Sequence, residues 1–462
     1  MPDMHNHHIP QFHIRLPHGY LNDPNGPIEL DGVTHVYFQS RSLADLEVPV
    51  EWGHATSTDL VHWTLHRPAM SPTPGGLDSG GCWSGNTVLD GDRVRAYYSG
   101  KVNGKRYESV LTALSDEQGG NFDAPAQVVD DPEPDEGITM FRDPFVWKDD
   151  NGWEMAVGAA GPDETASIRH YRSEDGARWR RTGNLASLKR TVFDGNDTGA
   201  GWECPQILRV DGRMVAVVSS WSHGDGPADV LAFPLDAVPR PRRVDHGTSF
   251  YAASVMQHGA HGALLFGWIR EGRSQEWWRT AGVAGAISLP RTAWLDADGA
   301  LGTAPHPALA RLRAGDGRST SGATIGAQAE LFIPSASGVT RIRFGDDEWC
   351  DVILDVTAGT VTVDYTHASR DERAHADTTV ATNAFDDSAS SGVRVFLDGS
   401  ILEVFTPSGR SLTSRVYPLA APPWHVDAPE SVMLWDLMPS VTSATGRAPQ
   451  GLERRALDTT VV

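Results

Sequence analysis

Apolar residues in this chain gather in short runs instead of long helical periods, and the runs share a common preface. Asp31-Gly32, Gly91-Asp92, Asn151-Gly152, Asp211-Gly212 and His261-Gly262 stand directly before VTHVYFQ, RVRAYYS, WEMAVGA, RMVAVVS and ALLFGWI. A glycine or its neighbour supplies the positive φ of a tight hairpin, and the β-branched and aromatic residues that follow fit a packed pleated surface. Each unit predicts one hairpin. The turns are about 60 residues apart, then about 50 for the last, a spacing that suits four-stranded propeller blades with long outer connections. A second repeat agrees: Ser57, Asp59 and Trp63 in STDLVHW recur as Ser173, Asp175 and Trp179 in SEDGARW, and are expected to form equivalent outer hairpins. The expected fold is all-β, opening with a five-bladed β-propeller over residues 1–304.

From Pro305 the segment PHPALARLRAGDGRSTSGATIG mixes a short helical pattern with a polar, glycine-rich stretch and predicts a linker over 305–325. Strand-like runs resume after it: ELFIPS, VTRIRF, DVILDV, TVTVDY, VRVFLD, ILEVFT and RVYPLA, with Asp398-Gly399 turning one hairpin. They predict a β-sandwich domain over 326–445, followed by a weakly patterned tail at 446–462. At 462 residues the chain is long enough for two cores of this kind.

The acidic residues fall into step with the first repeat. Asp23, Asp143 and Glu203 each lie eight positions before the turn residues Asp31, Asn151 and Asp211. They are expected on equivalent strands, and if those strands are innermost the three carboxylates converge on the propeller axis from blades one, three and four. Asp23-Pro24, Asp143-Pro144 and Cys204-Pro205 add stiffness, since proline biases the preceding residue towards extended backbone. A single Asp-Pro more often marks a turn or a strand start. Three in register carry more weight than one. Converging carboxylates suit glycosidic bond hydrolysis, in which one protonates the leaving oxygen and a second attacks the anomeric carbon or activates water. A third can hold sugar hydroxyls. Separation of the two acting groups decides retention or inversion, and the sequence leaves that open. Arg142 beside Asp143 can favour its charged form, and Trp52, Trp83 and Trp202 offer faces to a sugar or packing between blades.

Charge narrows the field. Lys+Arg 39 against Asp+Glu 60 gives a net charge of -21, which repels phosphate backbones and anionic headgroups, so neither nucleic acid nor a membrane is expected as a partner. A neutral small carbohydrate is compatible with it. Cys82, Cys204 and Cys350 are too few and too scattered for a disulfide framework. The opening MPDMHNHHIPQFHIRLP lacks the features of a secretory signal, and a cytoplasmic location is expected. His5, His7, His8 and His13 cluster there, but such residues are common in flexible polar termini and no tetrahedral ligand set is visible, so no metal and no cofactor is expected. Ser84 in CWSGN reads as a turn residue and not as a nucleophile elbow. Cys204 reads as a small packing residue that tunes Glu203. Oligomeric state is left open.

HGYLNDPNGPI at 18–28, FRDPFVW at 141–147 and WECPQIL at 202–208 resemble the Asn-Asp-Pro-Asn-Gly, Arg-Asp-Pro and Glu-Cys motifs of glycoside hydrolase family 32, the invertases, levanases and inulinases. WGHATSTDLVHW, CWSGN, SFYAASVM and ISLPR look like further family segments in the right order, and VRVFLDGSILEVFTPSGRSLTSRVYP resembles the family's C-terminal sandwich. The resemblance implies a propeller plus sandwich and a retaining double displacement, with Asp23 as nucleophile, Glu203 as acid/base and Asp143 stabilising the transition state. It also implies Asn22, Gln39, Trp52, Trp83, Ser84, Arg142 and Tyr251 as contacts to a fructosyl unit. The expected activity is that of an exo-acting β-fructosidase on sucrose or short fructo-oligosaccharides. Polymer-cleaving levanase or inulinase action and fructosyl transfer are alternatives that use the same covalent intermediate, and a non-catalytic sugar-binding propeller is disfavoured by the retained acids. Five positions depart from the family pattern: Tyr20-Leu21 replaces Trp-Met or Trp-Ile, Gln206 and Ser249 each replace an acid, and Val283 replaces a tryptophan. Gln206 is expected to alter leaving-group recognition, and Ser249 and Val283 to reshape part of the sugar subsite.

Overall fold

The computed structural model describes residues 6–46, 48–150, 152–256, 259–296, 298–319, 323–385, 392–428 and 432–444. Strands dominate them, and the only α-helix among the described residues is α1 (Gln275–Ala281). The repeated apolar runs become five successive antiparallel sheets. Their first strands are β1 (Gly19–Leu30), β2 (Gly81–Asp90), β3 (Met140–Asp149), β4 (Gly201–Val210) and β5 (Phe250–Met256). Each first strand contacts that of the next sheet, and β5 contacts β1, so the five stand in a closed ring.

Why the runs are apolar on both faces follows from what lies between the sheets. Successive strand residues point to opposite faces. On β3, Val146 packs with Val88 and Tyr97 of the second sheet, while Phe145 and Trp147 pack with Trp202 and Ile207 of the fourth. Similar cores lie between the first and second sheets, the fourth and fifth, and the fifth and first. Polar clamps cross the same seams. Asn86 both donates to the carbonyl of Val146 at 2.8 Å and accepts from its N–H at 2.9 Å. The ring closes where Val283–Ala284 runs parallel to β1, pairing Gly19 with Val283 and Tyr20 with Ala284.

Asp31 and Gly32 take positive φ of 50° and 76°, and Asp211 and Gly212 take 49° and 76°, as their hairpins require. The third hairpin differs from expectation: Asp149 pairs with Gly152, so Gly152 is a strand residue and the turn begins at Asp150, while Asn151 lies outside the described residues. The Ser-x-Asp repeat is the same turn twice. Ser57 Oγ lies 3.1 Å from Asp59, which accepts from the N–H groups of Val61 and His62; Ser173 lies 3.1 Å from Asp175, which accepts from Ala177 and Arg178.

Two six-stranded sheets enclose the second large core, with β6 (Ile401–Phe405) and β7 (Ser411–Arg415) at one edge. A propeller followed by a sandwich is consistent with this arrangement. The segment 305–325 is packed and not a free spacer: Pro307–Leu312 forms a 3-10 helix that buries Leu309 and Leu312, and Ala323–Ile325 pairs with 424–426. Residues 320–322 and the expected tail at 446–462 lie outside the described residues. Just before that tail, Val441–Ser443 runs parallel to Trp63–Leu65 of the first sheet.

The N-terminal histidines depart from the expectation of a flexible terminus. His8 is buried with Nε2 on the carbonyl of Pro418 at 2.6 Å, His7 reaches the same carbonyl at 2.9 Å, and His13 is enclosed between Asp398 and Glu403. They fasten the first residues to the sandwich because an enclosed imidazole needs partners that water no longer provides. His5 lies outside the described residues.

Candidate active site

All five first strands lose register with their partners at one level of the ring. Two residues there face one: Asn22 and Asp23 oppose Gln39, Trp83 and Ser84 oppose Ser99, Asp143 and Pro144 oppose Val157, Cys204 and Pro205 oppose Val218, and Ala252 and Ala253 oppose Gly267. Such bulges bend a strand and re-aim its side chains. Asp143, Cys204 and Ala252, each first in its bulge, take positive φ of 62°, 46° and 47°. The three acids therefore lie on equivalent strands but not at equivalent positions. Glu203 is the last residue before its bulge, Asp143 is first in its own and Asp23 second. Counting from turns puts them level because the first hairpin is longer than the fourth and the third turn begins at Asp150, one residue before the position counted from.

Asp23 is half-buried and surrounded by donors. Ser84 Oγ donates to its Oδ2 at 2.7 Å, Asn22 Nδ2 to its Oδ1 at 3.2 Å, and Gln39 Nε2 lies 3.5 Å from Oδ2. Gln39 also bonds Asn22 and Ser84, both at 2.6 Å, which fixes the set. Asp143 is 4% exposed and accepts from the N–H of Cys204 at 2.9 Å and from Ser99 Oγ at 3.3 Å, while its own N–H donates to Ser99 at 2.7 Å. The thiol of Cys204 lies 3.6 Å from Asp143 and 3.8 Å from Asp23, linking the two carboxylates. Glu203 accepts from Tyr251 OH at 2.7 Å on one oxygen and lies 3.3 Å from Arg142 Nη1 on the other.

This crowding resists ionisation. Burial pushes Asp143 up to about 8, against the pull of Arg142 and with added repulsion from Glu203 and Asp23. Glu203 is raised by burial, opposed by Arg142 and Tyr251. Asp23 is raised by burial too, but the opposing effects are hydrogen bonds that favour its carboxylate, from Ser84, Asn22 and Cys204. Burial and the surrounding carboxylates drive the Cys204 thiol well up, so it stays protonated and acts as a donor.

Of the other expected contacts, Asn22, Gln39, Ser84, Arg142 and Tyr251 all touch one of the acids. Trp83 is half-buried, with Lys101 and Arg142 lying 4.9 and 5.1 Å from its ring centroid. Trp52 departs from expectation. It is 0% exposed, packs with Tyr37 and Tyr98 and donates Nε1 to the carbonyl of Trp83 at 3.0 Å, so it supports that strand and has no free face for a sugar. Trp202 is likewise enclosed, bonded to the carbonyl of Thr198.

Gln206 is also placed differently from expectation. Its amide bonds the carbonyls of Cys204 and Pro205 and accepts from the N–H of Val255 at 3.0 Å, clamping β4 to β5 and spending its hydrogen bonds on backbone. Ser249 lies at the junction with the sandwich, its N–H on the carbonyl of Thr413, and Val283 is buried where the ring closes. Tyr20 packs against Trp268 and Trp278. Three residues around the acids belong to no motif: Ser99, Lys101 and Glu108. Ser99 had a signal, since it follows Gly91 by eight positions as Gln39 follows Asp31.

The family model described as glycosyl hydrolases family 32 N-terminal domain matches residues 13–305, and that for the family's C terminal matches 306–426. Raffinose invertase of Escherichia coli is 28% identical over 453 residues, covering 89% of this chain and 90% of that protein. Sucrose-6-phosphate hydrolase of Bacillus subtilis is 31% identical over 281 residues, 57% of this chain and 57% of that enzyme. Among solved structures, a family 32 β-fructofuranosidase of Bombyx mori has a TM-score of 0.78 at 23% identity, covering 95% of this chain and 96% of that one. Sucrose-6-phosphate hydrolase of Lactobacillus gasseri has a TM-score of 0.80 at 22% identity, covering 94% of each chain. At these identities the structural likeness is one of fold.

Proposed function

The chain belongs to glycoside hydrolase family 32, and from that premise we propose that it is a retaining exo-β-fructosidase, removing terminal non-reducing β-D-fructofuranosyl residues from sucrose or short fructo-oligosaccharides. The five ringed sheets are read as the blades of a five-bladed propeller over 1–304, with 326–445 as the sandwich domain. One observation carries the functional reading: the side chains of Asp23, Asp143 and Glu203, from three separate sheets, meet around the thiol of Cys204 and the guanidinium of Arg142.

In this reading Asp23 attacks the anomeric carbon. Its hydrogen-bond donors favour the carboxylate against the burial that opposes it, and fix its direction. Glu203, which burial and neighbouring carboxylates help to keep protonated, gives its proton to the leaving oxygen. A covalent fructosyl intermediate forms on Asp23, and Glu203 then takes a proton from the water that releases fructose. Asp143 bonds sugar hydroxyls, most strongly as the ring takes oxocarbenium character. Asn22 offers a further contact, because its Oδ1 is buried without a hydrogen-bond partner and can accept from a sugar hydroxyl.

A hydrolysis panel of sucrose, raffinose, kestose, inulin and levan tests this, with Asp23→Ala and Glu203→Ala as controls. Sucrose or a short oligosaccharide should be turned over best, with a loss of roughly 10³-fold or more in kcat for either variant. Preference for levan or inulin would transfer the reading to a polymer-cleaving enzyme, and inactivity on every fructoside would end it.

A further inference from the structure

Arg142 is shared. Its Nη1 lies 3.3 Å from Glu203, while its Nε lies 3.5 Å from a second carboxylate, Glu108, which is 2% exposed and immediately precedes the strand Ser109–Leu114. The other oxygen of Glu108 is 2.7 Å from Lys101 Nζ. Lys101, Glu108, Arg142 and Glu203 thus form a row of alternating charge running from the second sheet to the fourth. Trp83 lies beside both cations of the row.

We propose that Glu108 is a positioning residue for the acid/base: by engaging Arg142 from the side away from Glu203, it prevents the guanidinium from holding Glu203 as a carboxylate, so that Glu203 keeps the proton the leaving oxygen needs. The proposal rests on the reading of Glu203 as acid/base. A guanidinium next to a single carboxylate favours its ionised form, often strongly. Here a second, enclosed carboxylate divides that pull. The groups facing Glu203 are Arg142 from β3, Tyr251 from β5, Asp23 from β1, Asp143 from β3 and its own neighbour Cys204. Arg142 and Tyr251 stabilise the carboxylate; Asp23 and Glu108 oppose it. Glu108 itself faces Lys101 and Arg142. It hydrogen-bonds Lys101, pairs with Arg142 at 3.5 Å and hydrogen-bonds none of the three acids, so it acts on Glu203 by charge alone, through its hold on Arg142 and by direct repulsion.

The test is the pH dependence of kcat/KM on sucrose, whose alkaline limb reports loss of the acid's proton in the free enzyme. Glu108→Gln keeps the shape and removes the charge, and should move that limb down by about one pH unit. Lys101→Met acts the opposite way: it frees Glu108 to hold Arg142 more closely, and the limb should move up. A merely structural role would lower kcat in both variants and leave the limb where it was, and that result overturns the proposal. So does a shift of both limbs in one direction. If Glu108→Gln does not fold, Lys101→Met, altering a partly exposed side chain, decides alone: an upward shift supports the proposal, and no shift or a downward one ends it. A wild-type protein without fructosidase activity would instead sink the functional reading beneath it.

Discussion

Asp143 shows at the scale of one residue how a site can work against the stability of its protein. Burial pushes its pKa up to about 8 in the folded chain from an ordinary 3.8, so between those values the folded chain binds more protons than the unfolded one. Stability then falls as pH rises through this window, and what Asp143 contributes is fully present only below about 4. Asp143→Asn can keep the bonds to Cys204 and Ser99 while removing the charge. The variant should lose most activity yet unfold at a higher denaturant concentration than the wild type at pH 8, with the gap closing towards pH 4. Chemical denaturation across that range checks it; a gap that widens on acidification would contradict the direction assigned here. The identities of such residues were readable, because Asp23, Asp143 and Glu203 stand in recognisable motifs. Their protonation was not, since it depends on Ser99, Cys204 and Arg142 arriving from other strands. Gln206 is the converse case: a charge lost beside Glu203 suggests a change in recognition, yet the side chain clamps two sheets.

At the scale of elements, the bulge does the positioning. Five strands each place two residues against one at the same level, and nine of the ten expected site residues are in these bulges, opposite them or directly before them. The strands themselves were legible, because β-branched runs after Asp-Gly and Gly-Asp turns have few alternatives. Bulges were not, because a register shift depends on pairing and leaves no local pattern. Counting from the turns puts three staggered acids level because the first hairpin is longer and the third turn begins one residue early, and Trp52, in a family-like segment, is expected at the sugar although packing encloses it. Ala252 permits a test. Its φ of 47° is left-handed, costing a residue with a Cβ about 1 kcal/mol or more, whereas Ala253 beside it has no such φ. Ala252→Gly should therefore be neutral or stabilising and Ala253→Gly destabilising by about 0.5–1 kcal/mol. Equal losses in urea denaturation would mean that the bulge is not strained as described.

Across the whole molecule, the sandwich is fastened to the ring of sheets by charges that neither part could bury alone. His13, Asp398, Glu403, Arg291 and Asp245 are all nearly or wholly inaccessible, and Arg291 bridges Glu403 and Asp245 at 2.5 and 2.8 Å. Both ring nitrogens of His13 meet carboxylates, which hold it as an imidazolium although burial opposes that charge. Asp245 also binds Thr413 of β7, and the backbone of the same strand pairs with Ser249, two residues before Tyr251. The sandwich thus braces the strand whose tyrosine touches Glu203. Nothing in the N-terminal histidine cluster announced this, for their partners lie nearly 400 residues away along the chain. The order of the two all-β blocks was legible; how they grip one another depended on these distant pairs. The central claim is that carboxylates from separate sheets act on one sugar, with Asp23 as nucleophile. Running sucrose cleavage in dilute methanol and determining the anomeric configuration of the methyl fructofuranoside by NMR tests it most directly. With Asp23 as nucleophile the wild type yields the β-anomer and Asp23→Ala yields none; an α-anomer, or unchanged turnover by Asp23→Ala, would rule that role out.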